Sequence, residues 1–170
     1  MGLVVALAVT WPAEAMLGHL AWPAAAAVIG GLLFLGAAGD MLGVAAAAAE
    51  PPALHSMAAH GRVGAAGALV LKRHADRVAS IAQDIVGDVA GTVGGAAAAI
   101  WAGGAATVHG WPPALARAIA VALVAALTVG VKAGLKGVAL QYANQVLYVA
   151  GYTGRSLLGG HRRGRGRRRT

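Results

Sequence analysis

The chain has 170 residues, of which 58% are hydrophobic and 12% are charged, and its net charge is +8 at neutral pH. Soluble domains carry about 25% charged residues, so this composition excludes an ordinary water-soluble domain. No cysteine is present, which excludes disulfides and thiolate metal sites. Six of the fourteen Lys and Arg residues lie in the last ten positions, and no Asp or Glu follows Asp88.

The N-terminal third of the chain contains two apolar segments. Residues 2–21 are interrupted by Pro12 and Glu14 and lack the basic start of a signal peptide, so we interpret residues 3–20 as a short first span. The second span covers residues 22–49, because residues 21–39 carry no charge and a helix of about 20 such residues crosses the hydrocarbon. Prolines at 51 and 52 end this helix.

The remaining segments alternate between polar and apolar stretches. Residues 53–78 contain three Arg and one Lys and predict a helical loop outside the hydrocarbon. Spans are predicted at 79–108 and 114–131, separated by an HGWPP turn whose Trp111 suits the membrane interface. Residues 137–154 mix apolar residues with Gln, Asn and Tyr, which favours a juxtamembrane amphipathic helix. Residues 156–170 predict a disordered basic tail.

The loop charges predict the orientation. Lys and Arg concentrate in the 53–78 loop and in the tail, so both are expected in the cytoplasm. Backbone groups in lipid need internal partners, which favours helices. We therefore predict an all-α polytopic membrane protein with three to four transmembrane helices, a cytosolic helical loop and an interfacial helix. Residues 1–155 form one transmembrane domain, in the plasma membrane with the C-terminus cytoplasmic.

Carboxylates near the start of the predicted 79–108 span are candidate cation ligands. Asp84 and Asp88 are four residues apart and share a helix face, and a third acid interrupts the 22–49 span. A buried Asp must pair, protonate or bind an ion, and hard oxygen ligands suit Mg²⁺ or Ca²⁺. The predicted metal ligands are Asp40, Ser80, Gln83, Asp84 and Asp88.

A structural interpretation competes with this metal site. Lys132 and Lys136 are also one turn apart, and an antiparallel arrangement of the 79–108 and 114–131 spans brings them level with Asp84 and Asp88. The four side chains then form an ion-pair network, which is how intramembrane charges usually pair. Asp40 has a similar alternative, a hydrogen bond to a neighbouring helix. A lysine ammonium competes with a bound cation, so the two interpretations conflict.

Two further patterns point to packing and to lipid. Glycines recur on the second and third segments, including the GxxxG pair Gly87 and Gly91, and such small faces allow close helix packing or dimer formation. The tail is expected to bind anionic lipid headgroups rather than nucleic acid. No catalytic motif stands in a suitable context, so we expect no enzyme activity. The tail residues concerned are Arg162, Arg163, Arg165, Arg167, Arg168 and Arg169.

Two stretches carry a family resemblance. The first is "GDMLGVAAAAAEPPALHSMAAHGRVGAAGALVLKRHADRVASIAQDIVGD", and the second is "LTVGVKAGLKGVALQYANQVLYVAG". In segment order and scattered identities, over roughly residues 25–155, they resemble the transmembrane domain of the CNNM/CorB/CorC family, in particular short bacterial members without CBS domains. The resemblance implies a homodimeric domain of the bacterial inner membrane that transports Mg²⁺ or Co²⁺.

The resemblance also implies a ligand set. In the family the cation is held by oxygen groups of the first span, the polar start of the second and an acid near the end of the third. Here the first two regions supply Asp40 and the 80–88 stretch, but a VKAGLK sequence replaces the family's Gly-Glu-x-x-Pro-Lys step, with Lys132 at the glutamate position. Two hypotheses remain: a Mg²⁺ transport or binding domain, and a non-transporting membrane scaffold or partner subunit.

Overall fold

The computed structural model describes residues 21–159, and every regular element in that range is helical. The predicted first span at 3–20 and the arginine tail lie outside the described residues. In chain order the elements are α1 (Trp22–Ala48), α2 (Pro51–Ala59), α3 (Ala65–Arg73), α4 (Ala75–Ala79), a π-helical segment (Ser80–Gly87), α5 (Asp88–Val108), α6 (Pro113–Gln141) and α7 (Ala143–Gly159).

Three helices are long and apolar enough to cross a membrane. They are α1 with 27 residues, the continuous long helix Ala75–Val108 with 34, and α6 with 29. The long helix contains α4, the π-helical segment and α5 without a break. Since a spanning helix needs about 20 apolar residues, each has length to spare. The prediction of an all-α helical membrane protein is confirmed.

The α6 helix is longer than the predicted span. It runs to Gln141, ten residues past position 131, so Lys132 and Lys136 lie within it. Residues 137–141 of the predicted amphipathic helix therefore belong to α6, and a break at Tyr142 starts α7. The long helix likewise begins at Ala75 instead of residue 79.

Prolines lie at the start of three helices, and a lysine lies at the C-terminal end of α1. Prolines occupy the first turns of α1, α2 and α6, where a missing N–H costs no hydrogen bond. At the other end of α1, the Lys72 ammonium donates to the carbonyls of Ala46 and Ala47 at 3.1 and 2.8 Å. A cation at a helix C-terminus is favourable because the last carbonyls carry partial negative charge.

Glycines let α1 lie directly against the long helix. Gly36 faces the carbonyl oxygen of Gly87, and Gly39 leaves no room for a Cβ against the carbonyl oxygen of Ala82. Gly43 is similarly covered by the Gln83 side chain. Residue numbers rise along α1 as they fall along its partner, so the helices are antiparallel. Small residues at such contacts allow the close backbone approach that stabilises helices in lipid.

A second packing centre lies at the C-terminal end of α1, where α7 crosses α3. Gly67 meets the backbone of Gly151. The Glu50 N–H donates to the Asn144 side-chain oxygen at 2.8 Å, which ties the α1–α2 corner to α7. The core here is apolar and consists of Ala45, Ala46, Ala49, Leu54, Ala68, Ala143 and Leu147.

Candidate functional site

Three charged side chains meet between the membrane helices. The Lys132 ammonium of α6 lies 3.6 Å from an Asp40 carboxylate oxygen of α1 and 3.4 Å from an Asp88 oxygen of α5. The side chains of Lys132 and Asp40 are each 22% exposed, whereas that of Asp88 is 73% exposed. We call these three residues the Asp–Lys–Asp bridge. It joins all three long helices at one depth.

A tight turn sets the register of the bridge. Residues 109–112 connect α5 to α6, with Gly110 in the left-handed region at φ 71° and the Trp111 N–H bonded to the Ala106 carbonyl. Glycine adopts this conformation without the Cβ clash that other residues suffer. Because the two helices then run antiparallel from a fixed corner, Asp88 and Lys132 reach the same depth.

The bridge carries one more negative than positive charge. Two carboxylates flank a single ammonium, and Asp40 is the more enclosed acid. An unpaired carboxylate at this depth would carry a large desolvation cost, which the adjacent ammonium offsets. Chemically, the arrangement can hold three helices together and present Asp88 to the surroundings. The ammonium lies between the carboxylates, where a bound cation would have to lie.

The other predicted ligands lie elsewhere. The Ser80 hydroxyl donates to Asp84 at 3.0 Å, and both side chains are exposed. Gln83 packs against Gly43 on α1. Of the five predicted ligands, only Asp40 and Asp88 are thus joined through Lys132. Within residues 21–159, no three His, Asp or Glu side chains form a group that could hold a metal ion.

The π-helical segment explains why Asp84 and Asp88 have different partners. The N–H of Asp88 bonds to the carbonyl of Gln83, five residues earlier. In this wider turn a four-residue step no longer completes a turn, so the α-helical spacing that predicted one shared face does not apply. Lys136, the second predicted partner, is exposed and makes no ion pair in the part of the chain that the structure describes.

Grooves flank the bridge on both sides of α6. A cavity of about 400 Å³ between α1 and α6 is lined by Phe34, Met41, Leu127 and other apolar residues, with Lys132 at its edge. The α5–α6 groove, about 620 Å³, is lined largely by small residues of α5, and Lys132 also lies on it. The α5 residues concerned are Asp88, Gly91, Thr92, Gly95 and Ala96, preceded by Gly87 of the π-helical segment.

No family model, curated protein or solved structure matches the chain. All three members of the Asp–Lys–Asp bridge were predicted from the sequence, but the contact between Lys132 and Asp40 was not. Predicted depth did not join them, because Asp40 lies nine residues before the predicted end of its span at 49, whereas Lys132 lies just past the predicted end of its own span at 131.

Proposed function

We propose that this integral membrane protein is a non-transporting scaffold or partner subunit, in which Lys132 takes the position that a cation would otherwise fill. The observation that supports the proposal is the Asp–Lys–Asp bridge, with the ammonium 3.6 Å from Asp40 and 3.4 Å from Asp88. The bridge gives the lysine a structural role. It links three membrane helices that are otherwise packed through small apolar residues.

The chemistry of the bridge does not fit a resident Mg²⁺ ion. An ammonium group has no lone pair to offer a metal, and its positive charge repels a divalent cation at the same carboxylates. Binding of Mg²⁺ between Asp40 and Asp88 would first require Lys132 to move away. Of the remaining predicted oxygen donors, Ser80 and Asp84 bond to each other, and the Gln83 side chain packs against Gly43.

One observation favours a second candidate, a CNNM/CorB-type domain that transports divalent cations such as Mg²⁺. Carboxylates from two separate helices meet at the Lys132 ammonium. They leave an excess negative charge, and one of them, Asp88, is largely exposed. Intramembrane ionisable residues mark ion pathways in many proteins. Under this hypothesis the lysine would be a displaceable counter-ion.

Mg²⁺ flux into proteoliposomes separates the two functions. The scaffold proposal expects the wild-type protein and the Asp88→Asn variant to give the flux of empty liposomes. The transport hypothesis expects wild-type flux above that background and its loss in Asp88→Asn. Size-exclusion profiles of both proteins establish that they are equally folded, and wild-type flux above background would overturn the scaffold proposal.

Thermal stability in Mg²⁺ gives a second, binding-based test. A ligand that binds only the folded state raises the melting temperature. If Lys132 occupies the cation position, 10 mM Mg²⁺ should leave the wild-type melting temperature unchanged and should raise that of Lys132→Ala. Ca²⁺ and Na⁺ serve as ionic controls. A rise in the wild-type protein would contradict the proposal.

No observation on the described residues tests two other expectations. A homodimer stays a prediction from the glycine faces and the family resemblance. Binding of anionic lipids by the arginines at 162–169 stays a prediction from the sequence.

A further inference from the structure

Asp84 and Lys136 are opposite charges on neighbouring long helices, and neither makes an ion pair within residues 21–159. Both side chains are exposed. The Asp84 carboxylate accepts a hydrogen bond from the Ser80 hydroxyl, which is a neutral donor. Ionisable side chains of membrane helices usually pair with one another, so each of these two charges is expected to have an ionic partner.

The two charges lie at the same depth. The contact between Asp88 and Lys132 fixes the antiparallel register of the long helix and α6. Asp84 comes four residues before Asp88 on the long helix. Lys136 comes four residues after Lys132 on α6. Both therefore lie about 5–6 Å beyond the Asp–Lys–Asp bridge in the same direction, although they do not touch within one chain.

Both charges border the outer face of the α5–α6 groove. Val129 of α6 lines the groove, and Lys136 follows it by two helical turns on the same stripe of α6. Asp88 lines the opposite wall. Asp84 lies just beyond Asp88, and the π-helical segment changes its facing, so that its side chain is exposed instead of turned toward Lys132.

The two walls of the groove differ in size, which makes this face complementary to itself. The α5 wall contains Gly91 and Gly95, whereas the α6 wall carries Val121 and Val129, which are 42% and 67% exposed. Thr128 contacts the Cβ position of Gly91, so the next residue, Val129, lies at the depth of this small wall. A two-fold axis places the valines of each copy against the small residues of the other, which allows close packing.

We propose that two copies of this chain pair through their α5–α6 grooves, with Asp84 of each copy bound to Lys136 of the other. A two-fold axis along the membrane normal keeps every residue at its own depth, so it brings these two levels together twice in one interface. The charge complementarity identifies the occupant of the groove as a second copy. Because the ion pairs act between copies, they add little to the stability of the separate chain.

Charge reversal in mixed copies tests the ion pairs. Asp84→Lys and Lys136→Asp are placed on differently tagged copies, expressed separately or together, and association is measured by tag pull-down from detergent. Each variant alone should lose about fivefold to tenfold in self-association, because like charges meet at two places. The mixture should regain most of the wild-type association, since each copy supplies the charge that the other needs.

Two results of the mixing experiment would overturn the proposal. The first is wild-type self-association of both single variants, which is the result expected if Lys136 extends to a lipid headgroup. The second is a failure of the mixture to recover, which is the result expected if Asp84 and Lys136 pair within one chain. The matched control mixes Asp76→Lys with Lys136→Asp. Asp76 is an exposed acid two turns before Asp84 on the same long helix, so this mixture should not recover.

Cross-linking tests the face without changing a charge. The chain has no native cysteine, so a copy with Gly95→Cys and a differently tagged copy with Ala125→Cys form a mixed disulfide only between copies. Both positions line the groove. The control replaces Gly95→Cys with Gly30→Cys on α1, where a Cβ also meets no atom within 4 Å. Leu32 contacts the Gly94 position, so Gly30 lies at nearly the same depth. We expect the mixed disulfide to form with Gly95→Cys and to be scarce with Gly30→Cys, and equal yields would overturn the proposal.

Discussion

Lys132 shows how one side chain can satisfy two acids on different helices. Its long stem lets the ammonium stand between Asp40 and Asp88, which lie on α1 and α5. Asp40 depends on the lysine more than Asp88 does, because it is the less exposed of the two. Ion pairs of this kind stabilise mainly by preventing the cost of an unpaired charge.

Replacing Lys132 with Met should destabilise the protein by about 1–3 kcal/mol. This is less than the loss of a partner in a fully buried pair, because Asp88 is largely exposed. The matched variant is Lys136→Met, one turn away, whose lysine makes no ion pair among the described residues and should cost little. Chemical denaturation in detergent measures both. Equal effects would contradict a specific role for Lys132.

The pairing of these residues could be predicted only in part. Depth alone placed Lys132 level with Asp88, since both lie at the cytoplasmic ends of antiparallel predicted spans. The sequence did not predict that Asp84 would lie apart from Lys132, because the π-helical segment changes the facing of Asp84 relative to Asp88 and depends on tertiary contacts. The Gln83 side chain fills the space beside Gly43. This contact too could not be predicted without knowing how α1 packs against the long helix.

At the scale of elements, backbone contact holds α3 and α7 together. Gly151 lies against the Ala68 N–H and the Gly64 carbonyl, and Arg62 lies over the Tyr148 ring at 5.4 Å. The Arg155 guanidinium also donates to the Val63 carbonyl at 3.2 Å. These contacts join the residues just before α3 to two positions on α7, which restricts how the two helices can move relative to each other.

Gly151→Ala should destabilise the α3–α7 crossing by about 1–3 kcal/mol or more, as overpacking does, because the new methyl group would strike backbone atoms of α3. Gly154→Ala is the matched control in the same helix. No atom lies within 4 Å of its Cβ position, so better helix propensity should stabilise it by up to about 1 kcal/mol. Thermal unfolding monitored by circular dichroism compares them, and a stable Gly151→Ala would contradict the crossing.

For the whole molecule, the distribution of exposed apolar side chains matches a lipid environment. Fully buried residues on α6 are few, Val124 and Ala139, whereas leucines, isoleucines and valines along it are exposed. Hydropathy and length alone predicted the three long helices correctly, because the bilayer imposes both. Their exact ends were less predictable, since α6 continues ten residues past its predicted end at 131 and the turn to α7 depends on packing.

The orientation of the chain is a prediction that cysteine labelling can check. The positive-inside rule puts the turn after α2 in the cytoplasm and the α5–α6 turn outside. His60→Cys and His109→Cys place single thiols in these exposed turns. A membrane-impermeant maleimide should label only the second in intact cells, and both after permeabilisation. Labelling of both thiols from outside would contradict the predicted orientation.

The π-helical segment determines where the long helix can lose one residue without turning its buried face. Deleting one residue from an ordinary membrane helix rotates everything beyond it by about 100°, which exposes the buried face. A π-helical turn already holds one residue more than an α-helix requires. Loss of a residue such as Ile81 or Ile85, both exposed, would let the segment close into regular α-helix while α4 and α5 keep their facing. Residues 80–87 are therefore the part of the long helix that tolerates a shorter chain.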